Sequence, residues 1–233
     1  MTDTSDTYKD RIVDAALRLA VSRPWNETSL LDIAQAAGSN LVELRKHFGS
    51  KADIVAAFTR RIDDEVLAKA PPPEPGQSHR DALFEVLMSR FDTMKPHKQA
   101  IRSIVEGAKF DPAVLRASLA SQAWMLQAAG INTDGATGAA KVAGVASVYA
   151  STLRTWLDDD DPGLARTMAV LDRRLRRGER SIEGVESVAS FARRLRDVFR
   201  RPSRHEDRRP DEGHRQPPDD IPSTPSSPQP GTP

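Results

Sequence analysis

Residues 28–51 read TSLLDIAQAAGSNLVELRKHFGSK. Apolar residues recur there at three- and four-residue spacing on either side of Gly38, with no alternation of period two. Thr28 or Ser29 is placed to cap a helix that buries Leu30 or Leu31, Ile33, Ala34 and Ala37. Gly38 supplies a turn residue for which positive φ costs little. Asn40 is placed to cap a second short helix that buries Leu41 or Val42, Leu44 and Phe48. Two short amphipathic helices hinged on a glycine form a helix-turn-helix, which places its second helix in the DNA major groove.

The same periodicity extends both ways. It predicts a helix from about Tyr8 to Ser22 with Ile12, Ala15, Ala16, Leu19 and Ala20 inward, ended by Pro24. Trp25 then plugs the end of the small bundle. A longer helix, capped by Ser50 and running to Ala70, carries Ile54, Val55, Phe58, Ile62, Val66 and Leu67 on one side. Pro71, Pro72, Pro73, Pro75 and Gly76 follow and mark a domain boundary, giving a three-to-four-helix head over residues 1–70. A second helical unit is expected over 78–177, with helices at Ser78 to Met94, 97–109, 112–129, 138–158 and 163–177. Pro96, Pro112 and Pro162 suit first helical turns, and Asp111 and Asp161 suit caps. The 138–158 stretch is rich in Ala, Gly and Ser, which suits the bundle interior or a subunit contact. The fold class is all-α.

The 233 residues include no cysteine, which excludes disulfides and thiolate zinc sites. The N-terminus is polar and no run of about 18 apolar residues occurs, so a cytoplasmic protein is expected. His47, His79, His97, His205 and His214 are scattered, and HExxH, GxSxG, P-loop and GxGxxG motifs are absent. Asp158 to Asp161 reads as the end of one helix and the cap of the next. No catalytic residue, metal ligand or cofactor is assigned.

The net charge of +1 conceals an asymmetry. Residues 1–70 hold ten Lys and Arg against eleven Asp and Glu, a net of −1. Phosphate neutralisation supplies much of DNA affinity, so such a head needs its cations focused on one face. Between Arg173 and Arg209 stand thirteen arginines against six Asp and Glu. Within the 181–201 segment Val188, Phe191, Leu195 and Phe199 share a stripe opposite Arg193, Arg196 and Arg200. A basic amphipathic helix of this kind suits an anionic membrane surface, with a helix docked on its own bundle or a partner subunit as the alternative. Residues 202–233, with nine prolines among polar residues, have the composition of a disordered tail.

Ala34, Ala37, Gly38, Leu44, His47, Phe48, Gly49, Ser50 and Lys51 stand where the TetR family of one-component regulators has similar residues. The head resembles that family's DNA-binding end. The resemblance implies a TetR-like fold with a helix-turn-helix head and a C-terminal ligand and dimerisation bundle. It assigns groove-facing positions to Asn40, Glu43, Arg45, Lys46 and His47, and backbone contacts to Ser29 and Lys51. It implies a homodimer on a double-stranded DNA operator. The chain departs from the family pattern at four positions. The family usually has a lysine or similar polar residue at Leu41, often a small residue at Val42, a threonine at Glu43 and a phosphate-touching tyrosine at Arg45.

The stretch VASVYASTLRTWLDDDDPGLARTMAVLDRR, residues 145–174, resembles the TetR-fold lipid-binding accessory proteins of coenzyme Q biosynthesis. Tyr149, Trp156, Asp158 to Asp161, Thr167, Leu171, Asp172 and Arg174 carry the likeness. It implies an apolar tunnel lined by Phe84, Met88, Phe91, Trp124, Met125, Tyr149 and Trp156, taking a hydrophobic small molecule or isoprenoid lipid. It also implies a terminal membrane-contact helix peripheral to the inner membrane. Two functions are therefore expected in order: a ligand-responsive transcriptional regulator of the repressor kind, and a lipid-carrying accessory protein of ubiquinone biosynthesis.

Overall fold

The computed structural model describes residues 4–71, 74–108 and 111–178. The segment 181–201 for which an amphipathic helix is expected, with Val188, Phe191, Arg193, Leu195, Arg196, Phe199 and Arg200, lies outside the described residues, as do residues 202–233. Among the described residues the secondary structure is helical, with no strand. In chain order come α1 (Thr4–Ser22), a 3-10 turn (Trp25–Glu27), α2 (Leu30–Ala36), α3 (Leu41–His47) and α4 (Lys51–Lys69). Then follow α5 (His79–Met94), a 3-10 turn (Lys95–His97), α6 (Lys98–Gly107), α7 (Pro112–Ala128) and α8 (Gly135–Leu157). Residues 165–178 form α9.

Local chemistry sets most boundaries. Ser29, Asn40, Ser50 and Ser78 each accept a hydrogen bond from the backbone N–H three residues on, satisfying a donor the helix leaves unpaired. Of the two candidates for the α2 cap, Ser29 takes the role, in a reciprocal capping box with Asp32. Gly38 adopts φ 65 at the turn and Gly130 φ 73 beyond α7. Pro112 opens α7 behind Asp111, as its sequence suggests. Pro162 does not open a helix: it lies in a turn with Gly163, and α9 begins at 165. The Asp161 carboxylate reaches across that turn to accept from the Ala165 amide at 3.0 Å.

The head core joins Ile12, Ala16, Ile33, Ala34, Leu44, Phe48 and Ile54, all buried. One expectation fails here. Neither Leu41 nor Val42 enters the core: they are 44% and 70% exposed. A seven-residue helix has one inward direction, and Leu44 takes it.

Head and bundle share a continuous apolar core, with α4 packed along α7 and α1 along α6. Buried polar groups cross this junction. The Asp63 carboxylate of α4 accepts from the Arg90 guanidinium of α5 and, at 2.8 Å, from the Ser121 hydroxyl of α7. Arg90 Nε donates to the Tyr149 hydroxyl of α8 at 3.2 Å.

Gly138, in the first turns of α8, faces the backbone of the preceding turn. A Cβ there would stand 2.0 Å from the carbonyl carbon and oxygen of Thr133. Backbone cannot rotate away as a side chain can, so Gly138→Ala is expected to destabilise by about 3 kcal/mol, the upper part of the overpacking range. A lowered urea midpoint at unchanged m-value checks this.

Candidate nucleic-acid interface and the bundle interior

Each residue of an α-helix turns by about 100°. With Leu44 inward, the opposite face of α3 is centred between Val42 and Lys46. Leu41 and Arg45 lie on one flank and Glu43 on the other. Leu41, Val42, Arg45 and Lys46 are exposed, while Glu43 and His47 are half-buried. Lys46 Nζ donates to the Glu43 carboxylate at 2.7 Å, in a pair whose side chains are both largely exposed. Arg45 forms no ion pair among the described residues. Asn40 spends its amide oxygen on the Glu43 N–H at 3.0 Å, leaving its NH₂ exposed. The His47 ring stands 4.9 Å from the Tyr8 ring, and the Tyr8 hydroxyl shares a hydrogen bond with Ser39 Oγ at 2.8 Å. Tyr8 of α1 thus props both ends of the turn and α3, a role that no local sequence signal announces.

Two positions assigned to backbone contact differ from one another. Ser29 is exposed, and its hydroxyl donates to Asp32 at 2.6 Å. The Ser29 hydroxyl, then its amide, hold Asp32 below the ordinary carboxylate pKa. Lys51 instead turns inward. Its Nζ donates at 2.7 Å to the carbonyls of both Trp25 and Thr28, with the ammonium 5.0 Å from the Trp25 ring centre. Desolvation lowers its pKa from the ordinary lysine value. Two of its three protons therefore tie α4 to the 3-10 turn.

That turn is also where the head meets α6. The Trp25 amide donates to Ser103 Oγ at 3.1 Å. Gly107 lies so close that a Cβ would meet the Asn26 nitrogen and Trp25 Cβ at 2.9 Å. In the middle of α6 Arg102 donates to the Leu157 carbonyl and pairs with Asp158 at 2.9 Å, and at its start Lys98 donates to the Asp159 carbonyl at 2.7 Å. α6 therefore spans from the head to the end of α8. Asp159 of the acidic run accepts from the Thr167 amide and hydroxyl at 2.9 and 2.7 Å, so this run is a junction between helices. Among the described residues no group of three or more His, Asp or Glu is arranged to hold a metal.

The residues expected to line a tunnel separate into three groups. Phe91, Met125, Tyr149 and Trp156 are buried together, with Phe91 5.4 Å from Tyr149 and 5.7 Å from Trp156 between ring centres. Phe84 and Met88 are partly buried and line an open groove of about 720 Å³ with Met168, Pro162 and Gly163. Trp124 belongs to neither. It is 54% exposed, because the outward stripe of α7 passes through Arg116, Ala120, Trp124 and Gln127. Deep in the bundle Gln122 is fully buried, and among the described residues neither its amide oxygen nor its nitrogen has a partner. The Trp156 indole N–H is likewise unpartnered.

Asp63, Arg90, Ser121 and Gln122 were not singled out from sequence. A signal existed for Arg90: it stands on the Leu83, Leu87, Met94 stripe of α5, where a charge must be paired if the helix is buried.

Fold and head together define an all-α protein with a helix-turn-helix head joined to a helical bundle. Residues 12–58 match the family described as "Bacterial regulatory proteins, tetR family". Residues 125–181 match the family COQ9. A TetR transcriptional regulator from Rhodococcus sp. RHA1 superposes with a TM-score of 0.59 at 17% identity, over 76% of this chain and 97% of that one. A TetR transcriptional regulator from Nitrosomonas europaea ATCC 19718 gives 0.55 at 23% identity, over 73% and 97%. A tetR-family transcriptional regulator from Streptomyces coelicolor gives 0.51 at 19% identity, over 84% and 90%. No curated protein matches the chain. Its head matches the tetR family model, and its late helices carry the COQ9 likeness. Among the described residues no helix is long and apolar enough to cross a membrane.

Proposed function

We propose that this protein is a ligand-responsive transcriptional regulator of the TetR type, acting as a homodimer on a double-stranded operator. The observation that carries the reading is the tetR-family match over residues 12–58, joined to an α3 whose outward face presents Arg45 and Lys46. Residues 1–70 serve as the DNA-binding head and 78–177 as the ligand and dimerisation unit. In the operator complex Asn40, Glu43, Arg45, Lys46 and His47 face the groove, and Ser29 contacts the backbone. Lys51 offers phosphate its third proton. The exposed face of α8, with Ala136, Ala140, Ala143, Ser147 and Ala150, allows a partner's helices to approach closely and supports a dimer contact there with α9.

A hydrophobic ligand fits the bundle chemistry. Unpartnered buried amide and indole groups at Gln122 and Trp156 favour a guest with one or two polar atoms on an apolar body. A ligand that binds one bundle shape better than another shifts the spacing of the two heads. The route for that shift is α6, whose last residue, Gly107, lies against Trp25 and whose first, Lys98, bonds the Asp159 carbonyl just beyond α8.

A second reading rests on the COQ9 match over the last turn of α7, α8 and α9. There the same bundle carries an isoprenoid lipid and meets a membrane through residues 185–201, without an operator. Neither reading requires catalysis.

Fluorescence anisotropy of duplex DNA from the gene's own upstream region, beside a scrambled duplex at two salt concentrations, tests the proposal. Tight binding to the native duplex alone supports the regulator. Equal, weak and strongly salt-dependent binding to both reduces the head to arginine–phosphate attraction and favours the lipid carrier.

A further inference from the structure

The α3 outward face is only partly polar: Val42 shares its centre with Lys46, and Leu41 lies on the flank beside Arg45. Val42 is 70% exposed and Leu41 44%, and neither contributes to the head core. Around them Glu43 holds Lys46 at 2.7 Å, which leaves Arg45 as the cation of this face not engaged by a carboxylate among the described residues. The apolar part of this face does not attract phosphate. It suits the floor of the major groove, where each base-pair type presents its own pattern of groups. The apolar group in that pattern is the C5 methyl of thymine.

Resting on the regulator reading, we infer that Val42 and Leu41 read thymine methyl groups, so that each operator half-site is specified by thymines beside the base or phosphate that Arg45 contacts. Neighbouring residues on a helix diverge by about 100°, so the two side chains fall on different base pairs. This apolar part of the face is consistent with the low charge of the head. Sequence choice comes from desolvating two aliphatic side chains against methyl groups, while Arg45 supplies the orienting contact. Glu43 beside them accepts from a cytosine amino group or repels a misplaced phosphate, which adds rejection to attraction.

The test selects duplexes from a randomised library with the full chain, then resynthesises the recovered site with uracil in place of each thymine in turn. Uracil removes the methyl and leaves the pairing edge unchanged. The expected result is one or two fixed thymines per half-site at which uracil weakens binding about fourfold per methyl. Val42→Ala, checked by circular dichroism for an intact fold, should bring the thymine-to-uracil ratio toward one at a single thymine and leave it unchanged at the position Leu41 reads. An enriched site at which no uracil substitution matters overturns the inference and leaves the regulator standing. Failure to enrich any sequence overturns both.

Discussion

Replacing Asp63 with alanine is expected to destabilise the protein by about 3–5 kcal/mol, the cost of breaking a buried ion pair from one side. Asp63 and Arg90 are both almost fully buried, at 5% and 3% exposure. The same carboxylate oxygen accepts from Arg90 and from Ser121. Removing it strands a guanidinium that retains one neutral partner, the Tyr149 hydroxyl. The loss should appear in urea unfolding as a lower midpoint. Asp63→Leu combined with Arg90→Met should be less damaging than Asp63→Ala alone, because no unpaired charge remains inside. If the double variant is the less stable of the two, the pair contributes net stability of its own. The network joins the last head helix to α5, α7 and α8, so Asp63→Ala should also weaken any DNA binding that depends on head orientation.

The second large effect is expected on DNA. Replacing Arg45 and Lys46 together with alanine should lower affinity for the native upstream duplex by at least a hundredfold for a dimer, with each head losing two cations. A good base contact is worth about 1–3 kcal/mol, and each lost phosphate contact reduces the salt slope by about one. Lys46 is available despite its bond to Glu43. Their side chains are 59% and 45% exposed, and such a surface pair is worth under about 1 kcal/mol, so phosphate can replace the carboxylate. Glu43→Gln then serves as the opposite case. Removing one anion per head should raise affinity several-fold, more for scrambled than for native DNA. Anisotropy titrations read both variants. Unchanged binding by the Arg45 and Lys46 double variant would remove the operator reading and leave the lipid carrier.

The order of helices was legible because its signals are local. Ser29, Asn40 and Ser50 cap helices through bonds that span three residues, and Gly38 turns because positive φ suits it. The pairing of Asp63 with Arg90 was not legible. Nothing in either neighbourhood tells which helix will bring the opposite charge. Periodicity also reveals a stripe without saying whether a neighbour covers all of it. Hence Trp124 was expected inside and stands in solvent, and Leu41 or Val42 was expected in the core and neither enters it.

By itself, then, the sequence determined the all-α class, the helix-turn-helix, the cap residues and the two family likenesses, because these depend on neighbours within a turn or two of chain. The tertiary structure decided which face of each helix is buried. It turned Lys51 onto two carbonyls, seated Trp25 against Gly107 and left Val42 at the centre of an open face. Those outcomes depend on distances between helices far apart in the chain, which are set when the whole core closes and not by any one segment.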